Sequence, residues 1–160
     1  MYEDLKEHIR QNIDRCRGDW VEKKNGYEAG LCSALGIDLD QTRYQDATWN
    51  GYSLELKKGT SIWIDLVRYC ELLVEKQELN STKSVCLFCV PDKAKGIITD
   101  IIGISTPRLL ETFALSEQQA KALLELRDHV PRQLNAQASL TVSDVRSIED
   151  FSVGFLESLL

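Results

Sequence analysis

The segment Tyr44-Gln45-Asp46-Ala47-Thr48-Trp49-Asn50-Gly51-Tyr52-Ser53-Leu54-Glu55-Leu56-Lys57-Lys58 decides how this chain folds. Asn-Gly between two runs rich in aromatic and β-branched residues is a strong hairpin signal, because both residues of its two-residue turn need positive φ. With Asn50 and Gly51 as the loop, Trp49 is predicted to pair with Tyr52, Thr48 with Ser53, Ala47 with Leu54 and Asp46 with Glu55. Side chains alternate along a strand, so Glu55 and Lys57 share a face, and this register brings Asp46 onto it. Two carboxylates directly opposite each other repel. A divalent cation between them removes the conflict, and the expectation is a metal site made by Asp46 and Glu55 with Lys57 beside it.

Upstream, residues 2–16 read as an amphipathic helix with Leu5, Ile9, Ile13 and Cys16 on one stripe, ended by Gly18. A second helical stretch covers roughly 20–36, interrupted near Asn25-Gly26, with Tyr27, Leu31, Ala34 and Leu35 as its apolar face and Gly36 as its stop. Glu28 opens the second piece, either as a favourable carboxylate in a first helical turn or as a third acid reaching toward the metal face. Residues 37–43 read as a short polar connection into the hairpin.

Downstream, Gly59-Thr60 breaks or bulges the strand, and Ile62-Trp63-Ile64 is predicted to continue it. A helix follows from about Asp65 to Leu79, carried by Leu66, Cys70, Leu73, Val74 and Gln77. The continuous apolar run Ser84–Val90, bounded by Pro91, predicts a strand covered on both faces in the middle of a sheet. A strand at Ile97–Ile104 comes next, then a short helix over 107–114 with Thr106 capping and Pro107 in its first position. Ser116-Glu117-Gln118-Gln119 opens a helix to about Val130 as a capping box, and Ala138–Val145 reads as a late strand. The apolar end, Phe151–Leu160, is expected to dock. This order predicts one α/β domain over residues 1–160, a sheet with helices on its faces.

The 160 residues carry 19 Lys+Arg against 25 Asp+Glu, a net charge of −6, which argues against coating nucleic acid through bulk charge and leaves room for a local basic rim. No apolar run is long enough to span a bilayer and the N-terminus lacks a leader pattern, so the expectation is a cytoplasmic protein without a membrane partner. The five cysteines, Cys16, Cys32, Cys70, Cys86 and Cys89, form an odd set within apolar segments and read as buried free thiols. Cys86 and Cys89 form a CxxC, but strand alternation points them to opposite faces. His8 and His129 read as surface or capping histidines.

Phosphodiester hydrolysis needs a nucleophilic water, neutralisation of charge in the transition state and help for the leaving oxygen. Mg²⁺ takes hard oxygen ligands, usually one or two carboxylates, and keeps waters and a substrate phosphate oxygen. Asp46 and Glu55 supply the carboxylates, the Leu56 carbonyl lies between them and Lys57, and Lys57 is placed to orient or deprotonate water or to stabilise phosphate charge. Asp46, eight intervening residues and then Glu55-Leu56-Lys57 resembles the signature of the PD-(D/E)xK nucleases, the superfamily of most type II restriction endonucleases, and looks most like its PvuII branch. Gln45 stands where the family's name-giving proline would be.

The resemblance spans roughly residues 25–90 in element order. It implies a restriction-endonuclease-like mixed β-sheet core (αβββαβ) flanked by helices, Mg²⁺-dependent cleavage of double-stranded DNA and a homodimer. It also implies Asp46, Glu55 and the Leu56 carbonyl as metal ligands, Lys57 as the catalytic lysine and Glu28 as an accessory acid. Lys58, Lys93 and Lys95, with Lys83 and Arg108, are candidate phosphate contacts, and the Trp49-Asn50 tip a candidate for groove or sugar contacts. The alternatives are a repair or recombination nuclease on the same core, or a non-catalytic α/β binding module in which Glu55 and Lys57 are only an exposed ion pair.

Overall fold

In the computed structural model, which describes residues 1–113 and 115–154, the chain begins with α1 (Glu3–Asn12), two single 3₁₀ turns at Ile13–Arg15 and Asp19–Glu22, and α2 (Glu28–Leu35). The strands β1 (Asp38–Leu39), β2 (Ala47–Trp49), β3 (Tyr52–Lys58) and β4 (Ser61–Asp65) follow, then α3 (Leu66–Val74). After a 3₁₀ turn at Gln77–Leu79 come β5 (Ser84–Asp92), β6 (Ile97–Ser105), α4 (Thr106–Phe113), α5 (Glu117–His129), β7 (Gln137–Thr141), α6 (Val142–Ser147) and β8 (Phe151–Gly154). The expected docking of the C-terminal end is met at Phe151–Gly154, which forms β8; residues 155–160 lie outside the described residues.

The main sheet is mixed, with strand order β1-β2-β3-β5-β6-β8. β3 and β5 run parallel, and every other neighbouring pair in it is antiparallel. Asn50 at φ 46° and Gly51 at φ 81° form the two-residue turn, and Trp49–Tyr52, Thr48–Ser53 and Ala47–Leu54 pair as predicted. β5 lies inside the sheet, and its alternate residues enter two cores. Val85, Leu87 and Cys89 pack with Leu54 and Leu56 against α1 and α2. Cys86 and Phe88 pack on the other face with Tyr69 and Leu72 of α3 and Leu109 and Leu110 of α4. Behind α3, Val67 and Cys70 meet Ala120 and Leu124 of α5. All five cysteines are buried and free, with Cys86 and Cys89 on opposite faces.

Several local expectations need correction. The first helix stops at Asn12 rather than reaching Cys16, and the residue 37–43 connection contains β1, because Asp38 and Leu39 pair with Thr48 and Ala47. β4 does not extend β3. The Gly59 amide still donates to the Cys89 carbonyl at 3.0 Å, but Gly59 sits at φ 153° and turns the chain out of the main sheet. β4 then pairs with β7 in a separate two-stranded ribbon. The residue 138–145 segment divides into β7 and α6 because Thr141 caps α6, its hydroxyl accepting from the Asp144 amide. The helix predicted at Pro107 starts at Thr106, and the Ser105 hydroxyl, not that of Thr106, accepts the Arg108 amide at 3.4 Å.

Because the turn sets the register of β3, Gly51→Ala is expected to lower stability by about 1 kcal/mol, the cost of a left-handed conformation for an L side chain. Urea denaturation checks this, and an unchanged midpoint would mean that the turn is not held in this conformation.

Candidate active site

β2 begins only at Ala47, opposite Leu54, whereas β3 continues to Lys58, so the last residues of β3 have no strand beside them on that side. Asp46 closes part of the gap. Its amide donates to the Leu54 carbonyl at 2.8 Å, and its Oδ2 accepts the Leu56 amide at 2.8 Å. The predicted cross-strand pair Asp46–Glu55 is therefore absent as a ladder pair: the ladder stops one residue earlier, and the Asp46 carboxylate turns onto the exposed backbone of β3. The Leu56 carbonyl, expected as a metal ligand, accepts from the buried Tyr27 hydroxyl at 3.3 Å, which leaves its second lone pair for another donor or a cation.

Glu55 and Lys57 do share a face, the one covered by α3, with Cys86 and Phe88 of β5 beside them in register. Lys57 Nζ lies 3.4 Å from Glu55 Oε1. The second Glu55 oxygen, Oε2, is taken by Nη1 of Arg68 from α3. Asp46 is near enough to feel all three groups. Its pKa is raised, first by burial and then by the Glu55 charge, against the lowering effects of the Leu56 amide, Arg68 and Lys57. Two carboxylates and two cations thus meet here, and the charges balance. The repulsion that called for a cation is answered in this arrangement by Arg68.

Glu28 stands in the first turn of α2, on the helix that packs against the other face of β3, and its charge acts on Tyr27, Cys32 and Lys58. Among the described residues, no group of three or more His, Cys, Asp or Glu side chains is arranged to hold a metal. Two carboxylates and a backbone carbonyl on an open strand edge remain a donor set of the hard-oxygen kind that Mg²⁺ accepts.

The candidate DNA contacts fall at opposite ends of β3, about 20 Å apart at the usual rise per residue. Lys58 lies over the Tyr27 ring at 4.9 Å, and its pKa is lowered by burial and by nearby Lys93. Lys93 and Lys95 are exposed in the turn after β5, at the same end as Lys57. At the other end, Trp49 stacks on His8 with centroids 4.3 Å apart, and Asn50 Nδ2 donates to Asp4. Lys83 sits over the Tyr52 ring at 4.1 Å. Arg108 is remote, donating to the Ile148 carbonyl from α4. His8 is the capping histidine expected, its Nε2 3.1 Å from the carbonyl of Gly36, the residue after α2.

Sequence reasoning missed two residues of this region. Arg68 carries a signal in hindsight: a cation in the first turn of a helix opposes the helix dipole and so requires a carboxylate nearby. Glu71 is a buried acid inside an apolar helical run, joined to Arg43 at 2.6 Å and Arg127 at 2.7 Å. Through Arg43 it ties α3 to the loop that delivers Asp46. Neither a scan against models of known protein families nor a search of curated proteins finds a match to this chain.

The raised pKa of Asp46 means that protonation favours the folded state, so the ionised form costs stability once pH passes the folded pKa. Asp46→Asn keeps an oxygen for the Leu56 amide without that charge. It should melt above the wild type at pH 7, with the difference vanishing below the ordinary carboxylate range. Thermal melts across that range check the sign, and a variant that melts lower at pH 7 would contradict it.

Proposed function

We propose that this chain is a Mg²⁺-dependent DNA endonuclease of the PD-(D/E)xK kind, specifically a type II restriction endonuclease acting as a homodimer on double-stranded DNA. The observation that carries the reading is the convergence of Asp46, Glu55 and Lys57 at one open edge of β3, though Asp46 reaches it by a route other than the expected pairing. Support also comes from the order of elements around that edge. A helix, a three-stranded antiparallel meander and a crossover through β4, which leaves the main sheet, and α3 to a strand parallel with β3 resemble the αβββαβ core that the motif implies, with β4 as an addition to it.

In this reading Asp46 and Glu55, with the second lone pair of the Leu56 carbonyl, would hold the cation. Mg²⁺ when bound neutralises charge at the phosphoryl centre and makes a bound water more acidic. Lys57, held against Glu55, donates to the attacking water or to a non-bridging phosphate oxygen. Water adds to phosphorus and gives up a proton to solvent, the P–O3′ bond breaks with its electron pair going to O3′, and that leaving oxygen takes a proton from solvent. The backbone bond from Leu56 to Asp46 fixes the carboxylate on a strand rather than on a free loop, which favours a reproducible attack geometry. Lys58, Lys93 and Lys95 extend the positive edge beyond Lys57 and are the better phosphate contacts, because Trp49 and Asn50 already have partners within the fold.

One observation favours a second reading, a non-catalytic binding module: Arg68 completes a charge-balanced cluster without any cation. Cleavage of a long duplex separates the two. Wild type with Mg²⁺ should yield discrete fragments, and Asp46→Ala or Lys57→Ala should each lower the rate by at least about a hundredfold, the usual loss for a group acting in the transition state. Intact Mg²⁺-dependent cutting by both variants would remove these residues from the site. Preference for branched over linear duplex would move the enzyme to repair or recombination.

A further inference from the structure

Arg68 is placed unusually for a purely structural partner of Glu55. Its side chain is 12% exposed and that of Glu55 11%, so the pair is nearly closed from solvent. A guanidinium that only neutralises a carboxylate tends to lay two parallel N–H groups onto its two oxygens. Here Nη1 takes Glu55 Oε2, while Oε1 faces Lys57 instead. Arg68 Nε is buried without a hydrogen-bond partner, and an orphaned buried donor is costly. The guanidinium also lies 5.0 Å from the Tyr69 ring, a flat apolar support that constrains it without saturating its donors. Both Glu55 oxygens are therefore already facing cationic groups, one of them through a bond that leaves its donor residue incompletely satisfied.

Resting on the metal site proposed above, we propose that Arg68 is a positioning residue that competes with the divalent cation: the Arg68–Glu55 bond and a cation on Glu55 are mutually exclusive. A carboxylate oxygen cannot present the same lone pairs to a guanidinium and to Mg²⁺. A doubly charged ion between Asp46 and Glu55 also repels the guanidinium at short range, where little water screens the charges. Arg68 thus holds Glu55 in place until a cation takes it. The released guanidinium, anchored on α3 and bearing a free Nε–H, then faces the same edge as Lys57.

Calorimetric titration with Mg²⁺ in the absence of DNA tests this in wild type, Arg68→Met and Arg68→Lys. Removing the competitor should tighten Mg²⁺ binding roughly tenfold in Arg68→Met, within the usual range for coupled sites, and less in Arg68→Lys. In wild type, the Arg68 Nε–H resonance in a ¹H–¹⁵N spectrum should shift with the same midpoint as the calorimetric binding, a readout that does not depend on either variant folding. Wild type that binds Mg²⁺ with an unmoved Arg68 resonance, or a folded Arg68→Met that binds no more tightly, overturns the competition and leaves the metal site standing. Absence of Mg²⁺ binding by all three proteins overturns the metal site and the competition together.

Discussion

The region depends on one hydrogen bond, from the Leu56 amide to the carboxylate of Asp46. β3 outruns β2, and a strand edge without a neighbour leaves backbone donors and acceptors that must find partners. Asp46 takes the Leu56 amide, and the Tyr27 hydroxyl from the start of α2 takes the Leu56 carbonyl. The edge is closed by side chains instead of by a strand. That substitution brings the Asp46 carboxylate close to the two side chains that flank Leu56, Glu55 and Lys57, on the side of β3 away from β5. The same feature shapes the electrostatics, because Asp46 is drawn into a half-buried position where its charge is disfavoured and Glu55 makes it more so.

Charge balance is the second constraint. Glu55 is nearly buried, and a buried carboxylate persists only when paired. Lys57 on one side and Arg68 on the other do this, and Arg68 is supplied by α3, the crossover helix that makes β3 and β5 parallel. Glu71, on that same helix, holds Arg43 and thereby the loop entering Asp46. α3 is thus the element through which both acids of the edge are positioned, one directly and one through the preceding loop.

Much of this was legible in the residues. Asn50-Gly51 specified the turn because its backbone conformation is accessible to few residue pairs, and the three pairs nearest the turn follow from it by counting. Ser84–Val90 announced a central strand because both faces are apolar. What counting could not supply was the length of β2. One residue beyond Ala47 the ladder yields to a side-chain bond, and no periodicity marks that exchange. The partner of β4 is hidden for a related reason: alternation in Ile62-Trp63-Ile64 identifies a strand but not its partner, and β7 lies far away in sequence. Arg68 escaped notice because it meets Glu55 only after the chain has left the sheet and returned as α3; the distance in sequence is short, but the contact is tertiary.

Under the function proposed above, Asp46 and Glu55 would hold one cation together at the open edge of β3. Anomalous scattering from crystals soaked in Mn²⁺, a stand-in for Mg²⁺ with the same preference for oxygen ligands, tests it most directly. The expected result is one strong peak within coordination distance of both carboxylates, with Arg68 withdrawn from Glu55. A peak bound elsewhere, or none at this edge with the Arg68–Glu55 bond intact, would contradict it.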